Sequence, residues 1–284
     1  MEPINPSAAK ILEDAPGLKP WVFFDCETTG LPLRSKKDEP PIPADHPGQP
    51  HLAALAMVWT TPTLAITAKK RWYIKPDGWK MEPGATRVNG LTDSFLRDNG
   101  QPIGHVLDFY ERAIAESHIF CAYNIQFDAK IMRGELRRAG RPDHILETPT
   151  VCAMMSCAGV VKAKKIDGSP KTPKLDEAMR HFKIEWEGTP HTAPADAMAC
   201  LRIVRFLSQI GIDLTPKIIQ SKNHTPVTDL GFAGGSPGIV AVTGGDGGIT
   251  GGAGGTGISG TIGANTDQGS PGSLPDYGIG KPDR

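Results

Sequence analysis

The stretch that decides the fold is WVFFDCETTGL, at residues 21–31. Its first four residues are apolar, and a short run of this kind bounded by polar residues predicts a buried β-strand. The strand runs directly into two acids, Asp25 and Glu27. We therefore expect a buried strand that carries carboxylates at its end.

These two carboxylates are expected to lie side by side, because alternate residues of a strand share one face. Neighbouring carboxylates in a buried place repel each other and lose hydration, so they require a cation or hydrogen-bond donors. Hard divalent cations such as Mg²⁺ prefer oxygen ligands of this kind. A structural interpretation stays open for the pair alone, since one Asp-x-Glu arises by chance in a chain of this length at about 25 % charged residues.

A second carboxylate follows another apolar run. Residues 118–123 predict a short strand, and NIQFD at residues 124–128 then begins a helix. Asp128 falls in the first helical turn, where the helix dipole favours an acid without any function. Asn124 is a good N-cap residue, which gives it a structural explanation as well.

The third region is HTAPAD, at residues 191–196. Pro194 suits the start of a helix, so Asp196 falls in the first turn and His191 precedes the helix on a loop. One interpretation is an exposed histidine and an acid that compensates the helix dipole. The other is an ionisable base beside a carboxylate, because histidine changes charge near neutral pH.

The order of the predicted elements indicates an α/β fold with one mixed sheet of five strands. Three strands come first and form an antiparallel meander, because their connections are short. Alternating helices and strands follow, and such helices pack on the faces of a mixed sheet. The predicted strands are 21–24, 52–59, 71–74, 118–123 and one within 150–161, and the predicted helices are 103–114, 127–136, 175–182 and 195–210. A loop with six prolines is predicted over residues 32–50.

Together the three acidic regions predict one site, because open α/β sheets bind ligands where their strands end. Four acids gathered there require about two divalent cations, a recurring solution for phosphodiester cleavage. One cation activates water and the other stabilises the departing oxygen. A histidine next to them, His191, can take the proton of the water.

These motifs resemble the DEDDh branch of the DnaQ-like 3′–5′ exonuclease superfamily. The resemblance rests on Asp25-x-Glu27-Thr-Thr-Gly, Asn124-x-x-Phe127-Asp128 and His191-x4-Asp196, and it covers residues 21–207. A softer stretch, RVNGLT at residues 87–92, is similar to the family's "vHGit" segment. The resemblance implies an RNase H-like fold.

The resemblance also implies roles for particular residues. Two Mg²⁺ or Mn²⁺ ions would be held by the four acids, with Asp25 between them, and His191 would be the general base. The residues that would line the pocket of the 3′-terminal nucleotide or support it are Thr28, Thr29, Leu31, Asn124 and Phe127. Two positions depart from the family pattern, since Tyr123 and Asn89 stand where many members have histidine.

The reaction implied is hydrolysis at nucleic-acid 3′ ends, with release of nucleoside 5′-monophosphates. We expect DNA as the substrate, at single-stranded or frayed ends, in proofreading or end processing with a polymerase or replication partner. Two alternatives stay open: an RNA exonuclease of the RNase T or oligoribonuclease type, and a silent nuclease-fold module that docks to a replication partner. The 2′-hydroxyl contacts that would separate DNA from RNA are not visible in a sequence.

Composition divides the chain into four parts. Of 33 glycines, 19 lie in residues 231–284, without the three-residue period of collagen. We expect an N-terminal arm over 1–20 with at most one helical turn near residues 8–13, an exonuclease domain over 21–213, a linker over 214–230 and a disordered Gly-rich tail over 231–284. Glycine's backbone entropy and the scarcity of apolar residues argue against a packed tail.

The cellular setting is expected to be cytoplasmic. The five scattered cysteines are an odd number, which favours free thiols in a reducing compartment. No apolar run approaches the ~20 residues of a membrane span, and the first residues lack the apolar core of a secretory signal. We therefore expect no membrane partner.

Two basic clusters could meet phosphates, which dominate affinity for nucleic acids. Five lysines lie between residues 162 and 174 with a single aspartate, and four arginines lie between residues 133 and 141. The total formal charge of the chain is zero. For both clusters, solvated surface charge is an equally good interpretation.

Overall fold

The computed structural model describes residues 18–36 and 38–219. The helical turn predicted near residues 8–13 and the predicted Gly-rich tail lie outside these ranges. Within them, no helix is long and apolar enough to cross a membrane. Residues 31–36 and 38–51 contain neither helix nor strand, as predicted for the proline-rich segment.

A mixed sheet forms the centre of the fold, with six strands among the described residues in the order β3-β2-β1-β4-β5-β6. The strands are β1 (Trp21–Thr28), β2 (Leu52–Thr60), β3 (Ile66–Tyr73), β4 (Ile119–Ala122), β5 (Pro149–Cys152) and β6 (Lys217–Ile218). The first three strands pair antiparallel, which confirms the predicted meander. β4 is parallel to β1, and β5 is parallel to β4.

The sheet has one strand more than the five predicted. β6 pairs antiparallel with the start of β5, in the segment predicted as a linker. The hydroxyl of Thr150 donates to the carbonyl of Lys217 at 2.8 Å and strengthens this short pairing. Two residues are too few to carry an alternating hydrophobic pattern, so nothing in the sequence marked this strand.

Helices cover both faces of the sheet. They are α1 (Pro83–Asn89), α2 (Asp93–Asn99), α3 (Ile103–Ala115), α4 (Ile125–Arg138), α5 (Ala153–Val161), α6 (Leu175–Phe182) and α7 (Ala193–Gln209), with a 3₁₀ turn at His144–Glu147. The central strand separates two apolar clusters, because its successive side chains point to opposite faces. Phe23 packs in the cluster that contains α5, α6 and α7. Val22 and Phe24 pack in the cluster with α3 and α4.

Candidate active site

The acid pair of β1 lies on the α7 side of the sheet. β1 continues through Glu27 to Thr28, so Asp25 and Glu27 follow Phe23 on the same strand face. The first turn of α7 brings Asp196 to the same place. One carboxylate oxygen from each of these three acids lies within 4.8 Å of the others. Residues 171 positions apart in the chain thus converge on one point.

Asp128 lies next to the backbone of β1. α4 begins at Ile125, directly after β4, and places Asp128 in its first turn. The Asp128 side chain is buried, and its Oδ1 accepts a hydrogen bond from the backbone N–H of Cys26 at 3.0 Å. This bond holds Asp128 beside the peptide that links the two acids of β1. Asp25, Glu27, Asp128 and Asp196 are called the acid cluster below.

Burial raises the pKa of every member of the acid cluster, and repulsion by the other acids adds to the rise for Asp25, Glu27 and Asp128. The pKa of Asp25 stands well above its usual range, because burial is reinforced by the charges of Asp128, Asp196 and Glu27. Burial and the charge of Asp196 raise the pKa of Glu27 to about 8. Burial raises the pKa of Asp128 to about 7, against the hydrogen bonds from Cys26.

The donor set fits a hard divalent cation. All four side chains offer carboxylate oxygens, the ligands that Mg²⁺ and Mn²⁺ prefer. Among the described residues, no lysine or arginine lies within ion-pair distance of any of the four. Acids this close and this buried are costly to ionise without a positive charge between them. The four acids therefore need a cation from outside the protein to neutralise them.

His191 lies at the edge of the acid cluster. Its backbone N–H donates to Oδ1 of Asp196 at 3.1 Å, and its side chain is exposed. Burial raises the pKa of Asp196 to about 6, and the hydrogen bond and charge of His191 act against this rise. The φ angle of His191 is 62°, a left-handed conformation that is uncommon for a residue other than glycine. The turn before α7 thus holds the ionisable imidazole of His191 next to Asp196, a candidate metal-binding acid.

The segment after β1 is fixed by internal hydrogen bonds. The hydroxyl of Thr28 donates to the carbonyl of Gly30 at 2.7 Å. Thr29 and His51 exchange two bonds of 2.9 Å, in which the Thr29 N–H donates to the His51 carbonyl and the His51 N–H donates to the Thr29 hydroxyl. Both threonines are buried, whereas Leu31 is 83 % exposed. The segment therefore combines a rigid backbone with one apolar side chain on the surface.

Asn124 and Phe127 lie at the start of α4, next to Asp128. Asn124 occupies the N-cap position, but its side chain makes no capping hydrogen bond. The capping explanation for this residue is therefore wrong, and its carboxamide is not used by the helix. Phe127 is half-buried and packs against the apolar cluster on the α3 and α4 side.

Two further residues contact this region without having been assigned a role from the sequence. The side chain of Asn89 hydrogen-bonds Glu27, which lowers the pKa of that acid, and its Nδ2 donates to the Thr28 carbonyl at 3.4 Å. The Glu82 carboxylate packs against Gly30, so a Cβ at Gly30 would collide with it. The only signal for Asn89 was its place in the RVNGLT stretch, and Glu82 had none.

The sheet order, the flanking helices and the position of the acids define an RNase H-like fold of the exonuclease type. Residues 22–204 match the RNase_T family model, described as exonuclease, and the chain therefore belongs to this family of DnaQ-like exonucleases. No curated protein sequence matches the chain.

Solved structures of exonuclease I share the fold. A product-bound exonuclease I has 18 % identity and a TM-score of 0.54, over 67 % of this chain and 43 % of that one. E. coli exonuclease I in complex with a 5cy-dT13 oligonucleotide has 19 % identity and a TM-score of 0.54, over 68 % and 41 %. A zinc-bound E. coli exonuclease I complex with single-stranded DNA has 17 % identity and a TM-score of 0.54, also over 68 % and 41 %. This chain thus spans less than half of the exonuclease I chains.

Proposed function

We propose that the chain is a metal-dependent 3′–5′ exonuclease of the DEDDh type, which hydrolyses phosphodiester bonds at 3′ ends and releases nucleoside 5′-monophosphates. The observation that carries the proposal is the convergence of oxygens from Asp25, Glu27 and Asp196 within 4.8 Å, with Asp128 held beside them. Membership of the exonuclease family supports the same class of reaction.

In this proposal the acid cluster would hold two Mg²⁺ or Mn²⁺ ions, and Asp25 would contribute to the binding of both. When bound, the cations supply activation of the attacking water and stabilisation of the departing 3′ oxygen. The contribution of the chain is a fixed set of oxygens. β1 fixes Asp25 and Glu27, α7 fixes Asp196, and the Cys26 N–H fixes Asp128.

His191 acts as the general base. It takes a proton from the attacking water onto its imidazole ring, and the nearby carboxylate of Asp196 stabilises the resulting positive charge. The exposed ring can then release the proton to solvent. The hydrogen bond from its backbone to Asp196 keeps the turn in place while the side chain moves.

The 3′-terminal nucleotide lies against the segment after β1 and the start of α4. Leu31 offers an apolar surface to the terminal base, and Phe127 supports the other side of the site. Thr28 and Thr29 hold the backbone that faces the terminal sugar. Asn124 has a carboxamide that no cap uses, which leaves it able to contact the substrate. Such apolar and backbone contacts tolerate any base sequence.

We propose single-stranded or frayed 3′ ends of DNA as the substrate. E. coli exonuclease I, which shares the fold, has been solved with dT13 and dA16 oligonucleotides. A cytoplasmic location fits the cysteines, because all five are free thiols and four of them are buried.

The test is degradation of 5′-labelled single-stranded DNA and RNA of the same sequence, in Mg²⁺, Mn²⁺ or EDTA. We expect a ladder that shortens stepwise from the 3′ end of DNA and is absent in EDTA. Asp25→Ala should abolish the ladder, whereas Asp98→Ala, at an exposed acid of α2, should leave it unchanged. Intact DNA and RNA under every metal condition would refute the proposal, and a ladder on RNA alone would change the substrate class.

A further inference from the structure

The two basic clusters of the sequence differ in their ion pairing. All four arginines on or after α4 donate to carboxylates of the same domain: Arg133 and Arg137 to Asp143, Arg138 to Glu135, and Arg141 to Asp108 and Glu111. The N–O distances of these pairs are between 2.6 and 3.1 Å. This positive charge is neutralised inside the protein, so the arginine cluster is structural.

In the lysine cluster, one position forms an ion pair within the part of the chain that the structure describes. Lys171 forms an ion pair with Glu177. Among the described residues, Lys162, Lys164 and Lys165 have no acid within 4.0 Å, and all three side chains are exposed. These three positive charges, within four residues of the chain, are therefore available to bind a negatively charged partner.

The segment that carries these lysines, residues 162–174, is called the lysine hairpin below, because hydrogen bonds join its two arms. The Lys165 N–H donates to the Ser169 carbonyl at 2.8 Å, and the Lys171 N–H donates to the Ala163 carbonyl at 3.0 Å. Gly168, with a φ angle of 79°, forms the turn, as only a residue without a Cβ does easily. Hydrogen bonds of this kind present the lysines on a preformed arm.

The lysine hairpin is anchored at the same edge of the sheet as the acid cluster. The hydroxyl of Tyr123 donates to the carbonyl of Pro173 at 2.9 Å, and both residues are buried. Tyr123 follows β4 and directly precedes Asn124, the residue that opens the helix of Asp128. The far end of the hairpin exposes Ile166 completely, next to Lys164 and Lys165. The arm thus starts beside the candidate active site and presents charge and an apolar tip to solvent.

We propose that the lysine hairpin binds the phosphodiester backbone of single-stranded DNA upstream of the terminal nucleotide. This inference rests on the proposed function, since it concerns the strand whose 3′ end lies in the acid cluster. Lys162, Lys164 and Lys165 neutralise backbone phosphates, and Ile166 packs against a base. The hairpin thereby tethers a long strand during successive cleavages.

The test compares two triple variants. In the first, Lys162, Lys164 and Lys165 are changed to Gln. In the matched control, Arg112, Lys183 and Lys217 are changed to Gln. These exposed residues lie in the last turn of α3, directly after α6 and on β6, outside the lysine hairpin. Binding of a fluorescein-labelled dT oligonucleotide in EDTA is measured by anisotropy at several KCl concentrations. EDTA prevents cleavage, so binding is read independently of activity.

The hairpin variant should bind the oligonucleotide ~10- to 100-fold more weakly at 0.1 M salt. The slope of log affinity against log salt should fall by about 2, because each phosphate contact to a single strand contributes ~0.7. With Mg²⁺ present, KM for the long oligonucleotide should rise and kcat should stay unchanged. Activity on a dinucleotide, which is too short to reach the hairpin, should also stay unchanged. The control variant should match wild type throughout.

Equal affinity and equal salt slope in wild type and the hairpin variant would overturn the inference, as would the same loss in the control. A wild-type chain that binds the oligonucleotide through the hairpin but never shortens it would refute the proposed function and leave the binding surface standing. The two failures are thus distinguishable. Thermal melting followed by circular dichroism checks that all variants fold. We expect unchanged melting temperatures, because substitutions at exposed positions usually alter stability little.

Discussion

Two sets of carboxylates in this chain, each buried or half-buried, differ in the groups that face them. Oε1 of Glu135 accepts a bond of 2.9 Å from the Leu52 N–H and one of 2.8 Å from Arg138, with His51 at 3.3 Å. Asp143 is half-buried and receives Nε of two arginines of α4. The acid cluster, by contrast, faces mainly its own negative charges, and the pKa of each of its acids is raised.

The difference separates acids that hold the fold together from acids that are kept for a ligand. A buried carboxylate with its own guanidinium is neutralised as the chain folds, and removing one partner leaves a costly unpaired charge. The acid cluster carries this cost in the folded protein until a cation arrives. We therefore expect substitutions in the two sets to have opposite effects on activity and stability.

The largest expected effect is on turnover in Asp25→Asn. Loss of a shared ligand removes several kcal/mol of charge stabilisation in the transition state, which corresponds to about 10⁴-fold in kcat. Stability without metal should stay the same or rise, because a carboxyl that is costly to ionise in this place is replaced by a neutral amide. Steady-state cleavage of labelled DNA and thermal melting in EDTA measure the two quantities. Wild-type turnover in this variant would contradict the comparison.

The next largest effect is expected at His191, which lies beside the acid cluster but is not one of its acids. His191→Ala should lower turnover by ~10²–10⁴-fold, because the ring is the proposed base and not a metal ligand. Metal affinity should change little. Turnover comes from the DNA assay and affinity from calorimetric titration with Mn²⁺. Unchanged turnover would remove His191 from the mechanism.

Glu135→Gln is expected to act on stability alone. The change removes the charge that faces Arg138 and His51, which costs about 3 kcal/mol for a buried pair broken on one side. Below its lowered melting temperature, the variant should cleave DNA at the wild-type rate, because Glu135 is not in the acid cluster. Chemical denaturation gives the free energy of unfolding. A Glu135→Gln variant that is folded but inactive would contradict the distinction between the ion-paired acids and the acid cluster.

The smallest effect is a pH dependence of stability. The folded protein holds protons on Glu27, with a pKa of about 8, and on Asp128, with a pKa of about 7. The unfolded chain has lost these protons near pH 4, so it binds fewer protons in the interval, and stability without metal falls as pH rises from about 5 to 8.

The melting temperature in EDTA should therefore drop by several degrees between pH 5.5 and pH 8. Mg²⁺ should restore it, and more strongly at the higher pH, because the cation binds the ionised form. Differential scanning fluorimetry gives both values, with Glu27→Gln as the variant whose slope should be shallower. A melting temperature in EDTA that rises over this interval would contradict the prediction.

The acids were predictable from the sequence because each stands where an element starts or ends. Asp25 ends an apolar run, Asp128 follows another, and Asp196 comes just after a proline that opens a helix. Five strands were predicted from apolar runs and four of the helices from their periodicity. The strand predicted over 71–74 covers only the end of β3, because the first residues of β3 are mostly exposed and form no apolar run. The resemblance of the three motifs in order added the family, which the match over residues 22–204 confirms.

The elements that were missed carry no periodic signal. β6 has two residues, and α1 and α2 have seven each, with only Leu96 buried between them. α5 is apolar on nearly every side, so its residues could not be told from a continuation of the strand before it. The fifth strand was predicted within residues 150–161, and the helix that follows it was not.

Which basic residues form ion pairs could not be predicted from the sequence, for a different reason. Arg141 meets Asp108 and Glu111, which lie about one helix and one strand earlier in the chain. Lys165 meets no acid among the described residues. Both clusters look alike as strings of basic residues, because pairing depends on which distant elements the fold brings together. Only the folded chain separates a structural cluster from an available one.

Titration of the metal-free protein with Mn²⁺, by calorimetry or electron paramagnetic resonance, tests the central claim most directly. Wild type and Glu135→Gln should each bind two Mn²⁺ per chain, and Asp25→Asn should lose both or retain one weakly. No binding by wild type, or the same binding by Asp25→Asn, would show that the acid cluster is not a metal site.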